Sequence, residues 1–317
     1  MRRIFFVFCM LTGTAAFAQT DSSASNLLNE LEGKQPAAAQ KKAAKVFMSH
    51  RLINANTTEM LTKGHLEFKV VHNFGDIGGT FGGVKNAFGL DNSTDIKIGF
   101  AVGVTKNLNI MVSRNKGFGN VTQLWEMAAK YRIMQQMEND PSRPLSIALF
   151  ANGVASSVKH SLDSTKEHFY PTTSSRQSQV LQLMIARKFG KILSFQLNPT
   201  YVHTNHVVPG DVKNVFAFGA AIRVPIYKKF VFIADYFHPF RSQGNINNLK
   251  ANYGVNLYDV WGVGLELVTP GHVFHVNFTN THSILENRFL TRTTTNQFRW
   301  GFTVARDFVL FKNKKKK

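Results

Sequence analysis

One stretch near the end of the chain, Asn296 to Phe311, constrains the fold more than any other. Phe298, Trp300, Phe302 and Val304 alternate there with Arg299, Gly301, Thr303 and Ala305, which gives an extended strand one apolar face and one small or polar face. Phe311 closes the segment ahead of a basic end. If the apolar face meets lipid, the strand must be paired along both edges, because no water is present there to satisfy its backbone. The expectation is a closed sheet in which this strand meets the first.

The same alternation begins at Gly64 and recurs in segments near the roughly 9 to 11 residues that a tilted membrane strand needs. Ile96, Ile98, Phe100, Val102 and Val104 oppose Asp95, Lys97, Gly99, Ala101 and Gly103, and Trp125, Met127, Ala129, Tyr131 and Ile133 oppose Glu126, Lys130 and Arg132. Similar rows run through Leu66, Leu108, Leu145, Leu181, Leu193, Phe216, Phe230, Trp261 and Phe274. Together with the closing segment they predict about twelve strands, an even number as bacterial single-chain barrels have. Short turns fall near 106, 140, 190, 228 and 270; longer polar loops fall at 75–93, 114–120, 158–176, 205–213, 240–253 and 280–295. This rhythm predicts an all-β fold, a transmembrane antiparallel up-and-down β-barrel of the outer-membrane type, occupying 63–311 with both its ends on the periplasmic side.

A soluble sandwich or lipocalin-like barrel also alternates, but turns its apolar face inward. Here 28 phenylalanines sit on strands whose opposite faces carry charge, so a greasy outside and a polar inside is the better fit. The expected inward charges are Lys69, Lys97, Lys130, Arg132, Arg223 and Arg299 against Glu67, Asp95, Glu126, Asp235, Glu266 and Asp307. The first reading of these twelve is a lumen of mutually satisfied ion pairs, because unpaired charge in a confined interior is costly; the alternative is a charged constriction that selects small polar solutes. Tyr201, Tyr236, Tyr258, Trp261 and Trp300 lie toward the loop ends, and Phe189, Tyr227, Phe230, Phe308 and Phe311 toward the turn ends, as two interfacial aromatic girdles would. Pro199 removes a ladder donor and predicts a bulge or break nearby. Arg187 interrupts an outward apolar row close to a turn, where it can snorkel.

Ahead of the barrel, Arg2 and Arg3, an apolar run from Ile4 to Leu11 and Ala16-Phe17-Ala18 form a secretory signal peptide over 1–18. Cys9, the only cysteine, lies within it, so the mature chain is expected to have neither disulfide nor thiol nucleophile. Residues 19–62 read as a periplasmic extension, in which Phe47 to Leu61 either plugs the lumen or covers its rim. The formal charge of +19 suits phospholipid head groups or acidic surface glycolipid rather than nucleic acid in an exported protein. Lys106, Arg143, Lys188, Lys191, Lys228, Lys229 and a basic tail at 312–317 gather that charge at the periplasmic end.

Several pieces, Arg51-Leu52-Ile53-Asn54, His72-Asn73-Phe74-Gly75, Phe88-Gly89-Leu90-Asp91, Ile185-Ala186-Arg187-Lys188-Phe189 and Gly271-His272-Val273-Phe274, resemble an uncharacterised family of bacterial outer-membrane barrels. The closing segment likewise resembles the C-terminal signature by which such barrels are recognised for insertion. The resemblance covers the chain from about Val46 and implies a barrel and the outer membrane, with no activity or catalytic residues to carry over.

Motifs for chemistry are sparse. His203 with His206 and His272 with His275 are three apart, which on a strand points them to opposite faces; no metal or cofactor is expected. His282 and Ser283 are adjacent and poorly placed for a triad. Gly78-Gly79-Thr80-Phe81-Gly82-Gly83 lacks the Lys-Ser/Thr ending of a phosphate cradle. The functional expectation is a monomeric barrel acting as a passive channel or uptake protein for small polar solutes. Its alternatives are a non-conducting scaffold that anchors a periplasmic or surface complex and, less favoured, a membrane-embedded hydrolase.

Overall fold

A computed structural model describes residues 42–227 and 229–311. The signal peptide with Cys9, the first part of the extension, Lys228 and the basic tail lie outside the described residues.

Twelve antiparallel strands close into one barrel. In order they are β1 (His65–Asp76), β2 (Ser93–Gly103), β3 (Leu108–Phe118), β4 (Val121–Met134), β5 (Ser146–Ser156), β6 (Gln177–Phe189), β7 (Leu193–Thr204), β8 (Asn214–Tyr227), β9 (Phe230–Phe240), β10 (Val260–Thr269), β11 (His272–Thr279) and β12 (Arg299–Val309). Each strand pairs with its neighbours in sequence, and β1 closes the cylinder against β12, from His65↔Val309 to Asp76↔Arg299. No sheet edge is left to be satisfied, as a lipid-exposed sheet requires. The side chains follow the pleat. Trp125, Met127 and Tyr131 of β4 are exposed outward while Leu124, Glu126, Ala128 and Lys130 are buried inward.

Short turns gather at one end, here the turn side, and the longer connections, with the short β3–β4 link among them, at the other, the loop side. The turn between β10 and β11 uses Gly271 at φ 80, a left-handed geometry that glycine adopts without penalty. The β6–β7 ladder runs from Ser178↔Thr204 to Gln182↔Thr200 and resumes at Ile185↔Leu197 in the same register. The interruption lies opposite Pro199, which has no N–H to donate, and no bulge is needed. Arg187 stays exposed with its guanidinium 5.1 Å from the Phe189 ring centroid.

Three expected loops differ. Residues 114–120 are mostly strand, because Gly117↔Thr122 and Phe118↔Val121 extend the β3–β4 ladder and the connection shrinks to Gly119 and Asn120. Residues 240–253 contain a helix, α1 (Gln243–Tyr253), whose N-cap Ser242 side chain accepts from the Asn245 N–H and whose C-terminus ends on left-handed Gly254. The β11–β12 connection holds one helical turn, α2 (Glu286–Phe289). This connection folds into the barrel, so that Ile284, Leu285, Phe289 and Leu290 are buried.

Candidate functional site: a sealed lumen

Two segments without strand periodicity fill the interior. From the turn side, residues 42–62 enter beside the β4–β5 turn, where Ala43 bridges Met137 and the Ala44 N–H donates to Gln136. From the loop side comes the β11–β12 connection. Inward-facing side chains on every one of the twelve strands are buried beneath them.

The N-terminal segment is first folded on itself. Glu59 accepts from the Val46 and Phe47 N–H groups at 2.9 and 3.0 Å, and Thr57 N–H donates to the His50 carbonyl. Its tip is a tight turn, closed by Leu52 N–H to the Ala55 carbonyl, that presents three successive amides to one carboxylate. Asp235 of β9 accepts from Ile53 (3.2 Å), Asn54 (2.6 Å) and Ala55 (2.9 Å) N–H and from Asn54 Nδ2 (2.9 Å). Such charge-assisted bonds in a buried setting are the strong ones. The turn fits because β10 carries Gly262 beneath it: a Cβ there would lie 2.7 Å from Ile53 Cγ2. Gly103 serves the same end where the segment leaves, since a Cβ would stand 2.2 Å from the Thr62 carbonyl oxygen.

The two inserts grip each other at the centre. Arg51 Nη1 lies 2.6 Å from Glu286 Oε1 and Nη2 donates to the Ile284 carbonyl, with side chains only 4% and 0% exposed. Asn56 Nδ2 also donates to Glu286, at 3.1 Å. Lys130 of β4 donates to the Thr57 carbonyl at 3.0 Å, and Gln196 of β7 both accepts from Thr58 N–H and donates to Asn56 carbonyl.

The expected lumen charges therefore divide. Lys69 with Glu67 (2.8 Å), Lys97 with Glu126 (2.5 Å) and Arg223 with Glu266 (2.8 Å) form ion pairs among themselves. Glu67 also meets His50 at 2.6 Å, and Glu266 meets His275 at 3.2 Å. Asp235, Asp95, Lys130 and Arg299 pair with none of the other eleven. Asp95 accepts from Ile284 and Gly117 N–H, and Arg299 holds Asp76, His282 and the Asn280 carbonyl. They fasten the inserts and the loop-side rim, which corrects the expectation of six mutual pairs. Arg132 and Asp307 sit at the turn-side rim: Arg132 bonds the β2–β3 turn at Lys106 and Asn107, and exposed Asp307 meets His65 at 2.9 Å.

The polar interior holds for only part of the wall. Ten inward apolar residues of β6–β10 are buried in a single cluster: Val180, Ala186, Val202, Val215, Ala217, Ala221, Val231, Ile233, Phe237 and Val260. They form one cluster with Val46, Phe47, Leu52, Ile53 and Ala55 of the N-terminal segment and with Phe289 and Leu290.

Of the ten aromatics expected at the two interfaces, nine lie at or near strand ends and Tyr236 lies mid-strand in β9. Tyr201 bonds Asn214, Tyr236 bonds Asp259, and Trp261 Nε1 donates to Asn296 at 3.2 Å; Trp300 packs on Phe278 with centroids 4.2 Å apart. Tyr258, Phe189, Tyr227, Phe230, Phe308 and Phe311 are exposed. Of the histidines, His272 stacks outward on Phe274 and His275 points inward to Glu266. His282 stacks on Phe118 with centroids 3.8 Å apart.

Above the lumen, four loops are knotted by charge. Glu167 of the β5–β6 loop holds Arg288 and Arg292; Asp211 of the β7–β8 loop holds Arg292 and Arg241. Burial would raise the Glu167 carboxyl, but Arg288 and Arg292 outweigh it and bring the pKa to about 2. Asp211 is likewise held below its ordinary range, burial again being overcome by Arg292 and Arg241.

Residues 47–308 match the family described as Membrane bound beta barrel domain (DUF5777). No curated protein matches the sequence. Among solved structures the chain is similar to a KdgM porin, at 10% identity, 77% coverage of this chain, 99% of that chain and a TM-score of 0.46. It is also similar to a NanC porin, at 10% identity, 77% and 98% coverage and a TM-score of 0.43. An outer membrane channel from Pseudomonas putida F1 aligns at 10% identity, 79% and 98% coverage and a TM-score of 0.44. These likenesses are of barrel form.

Proposed function

Because this chain belongs to the DUF5777 family of membrane-bound β-barrel domains, we propose that it is an outer-membrane barrel shut by its own chain. In this reading it works as a non-conducting anchor, with its N-terminal extension in the periplasm and its knotted loops at the surface. The observation that carries the reading is the apolar wall of β6–β10. A lumen meant to hold water would not be lined there by Val231, Ile233 and Phe237, which share one buried cluster with Val46, Phe47, Leu52, Ile53 and Phe289 of the inserts. Val46, Phe47, Leu52 and Ile53 are each at most 5% exposed; at about 1.5 to 3 kcal/mol per buried side chain, withdrawing them costs on the order of 10 kcal/mol.

A second reading, uptake of small polar solutes with the N-terminal segment as a movable stopper, is favoured by the opposite wall. A cavity of about 200 Å³ opens beside Glu59 and Asp307, and another of about 40 Å³ reaches Lys97 and Glu126; both are lined by His50 and Glu67. Planar-bilayer recording separates the two readings. The anchor reading expects silence from the intact protein and steady current from a protein lacking residues 42–62. Steady current from the intact protein would overturn it.

A further inference from the structure

The ion-paired loops enclose a cavity that the sealed lumen does not need. It measures about 290 Å³ and lies among Gly119 and Asn120, Thr165 to Glu167, Val208, the end of α1 and the β11–β12 connection. A smaller space of about 40 Å³ lies against it, and the two share Glu167, Arg288 and Arg292 as lining.

Charge around these two spaces does not balance. Lys166, Arg176, Arg241, Arg288 and Arg292 face two carboxylates, Glu167 and Asp211. Both carboxylates are already engaged: Glu167 divides its oxygens between Arg288 and Arg292, and Asp211 divides its own between Arg241 and Arg292. Arg288 gives one amino nitrogen, Nη2, to Glu167, while Nη1 is bonded to no group among the described residues; its Nε is sealed without a partner, as are Arg241 Nε and Asn287 Oδ1. Buried donors on charged groups without acceptors are costly, and the natural complement of a guanidinium edge is a carboxylate or phosphate. The larger cavity is also lined by Phe118, Val208, Leu249, Tyr253 and Val255, together with the uncharged polar Asn120, Thr165, Ser283 and Thr294.

We propose that this loop-side cavity binds a small organic acid, its carboxylate at Arg288 and Lys166 and its apolar body against Leu249, Tyr253 and Phe118. The lining thus sets charged groups, Lys166, Arg288 and Arg292, beside an apolar patch, the two parts that such a ligand requires. The assignment is independent of whether the barrel conducts, because the cavity lies outside the lumen seal.

The test is calorimetric titration of the full-length protein in detergent with three probes: benzoate, its neutral isostere benzamide, and inorganic phosphate. Benzoate should bind saturably at one site, at least about tenfold tighter than benzamide, since a charged hydrogen-bond partner is at stake, and tighter than phosphate, which has no apolar body. Arg288→Gln should weaken benzoate by about tenfold. Because Arg288 also holds Glu167, the exposed Lys166→Gln provides a variant that leaves the knot intact, and it should weaken benzoate at low salt and make the loss of binding at high salt shallower. Equal binding of benzoate and benzamide, or no binding of either, overturns the proposal. Phosphate binding as tightly as benzoate overturns the apolar half of it.

Discussion

The inner wall of this barrel has two faces of different chemistry. On β1–β4 it presents Glu67, Lys69, Asp95, Lys97, Glu126 and Lys130; on β6–β10 it presents a cluster of ten apolar residues around Asp235, Arg223 and Glu266, interrupted by the uncharged polar Gln182, Ser194, Gln196, Asn198 and Thr200. The inserts match both, placing Phe47, Leu52 and Ile53 on the apolar side and the His50, Arg51 and Thr57 polar groups on the other. Apolar burial supplies most of the free energy of closure without specifying a register. Directional bonds, above all the three amides on Asp235, place the segment within it. The contrast teaches that a membrane barrel can carry a hydrophobic core inside as well as an apolar belt outside.

The largest effect is expected from putting a charge into the apolar side. Phe47→Asp removes a fully buried ring and leaves an unpaired carboxylate, a loss of about 5 kcal/mol, enough to expel the segment. Current across planar bilayers together with protease cleavage within 42–62 would register it; a silent, protected variant would mean that the apolar side does not hold the seal. Next is Asp235→Ala, which orphans three buried amides at about 1 to 3 kcal/mol each before relaxation. It should make residues 52–55 exchange hydrogen far faster while the strands keep their protection.

The central Arg51–Glu286 pair measures how far the two inserts depend on each other. Arg51→Met alone leaves Glu286 buried with fewer partners, costing about 3 to 5 kcal/mol. Adding Glu286→Gln should recover part of that loss, so the double variant is less damaging than the sum. Strict additivity, read from denaturant unfolding of lipid-reconstituted protein, would mean that the inserts close independently. On the polar wall the effect is smaller. Lys97→Met leaves Glu126 with Ser113 and Asn152 as donors and should cost about 1 to 3 kcal/mol.

What the sequence made legible was whatever has period two. The outward rows, the strand number and the alternation of turns and loops all follow from it, because the lipid face admits little variation. The inserts have no period, so Arg51 and Glu286, 235 positions apart, carried no signal of contact. Asp235 read as half of an ion pair because its partners are backbone amides, which no residue type reveals. A signal for the apolar wall was present: β9 opens FVFIA and β8 runs VFAFGAAI, apolar on both faces, the pattern of strands covered on both sides. Inward Gly103 marked where another backbone passes close, and inward Gly262 where the Ile53 and Asn54 side chains do.

The smallest expected effect separates the two kinds of fastening by pH. Glu167 lies in the loop knot outside the strands, and its pKa is lowered from an ordinary 4.5 to about 2. A depressed carboxylate contributes stability that is fully present above its unfolded pKa and is lost as pH falls through the folded one. The knot should therefore be as tight at pH 5 as at pH 7, weaken progressively below about 4.5 and be lost near 2. Hydrogen exchange in residues 157–176 reads this directly, with Glu167→Gln as a variant already loosened at pH 7 whose remaining response to acid comes through Asp211. The Leu52 N–H is bonded to the Ala55 carbonyl and its side chain is packed in the apolar cluster, so protection there should outlast that of the loops as acid is added. Loops that loosen between pH 7 and 5, or an interior segment that frees itself before them, would show that charge, and not burial, keeps this barrel shut.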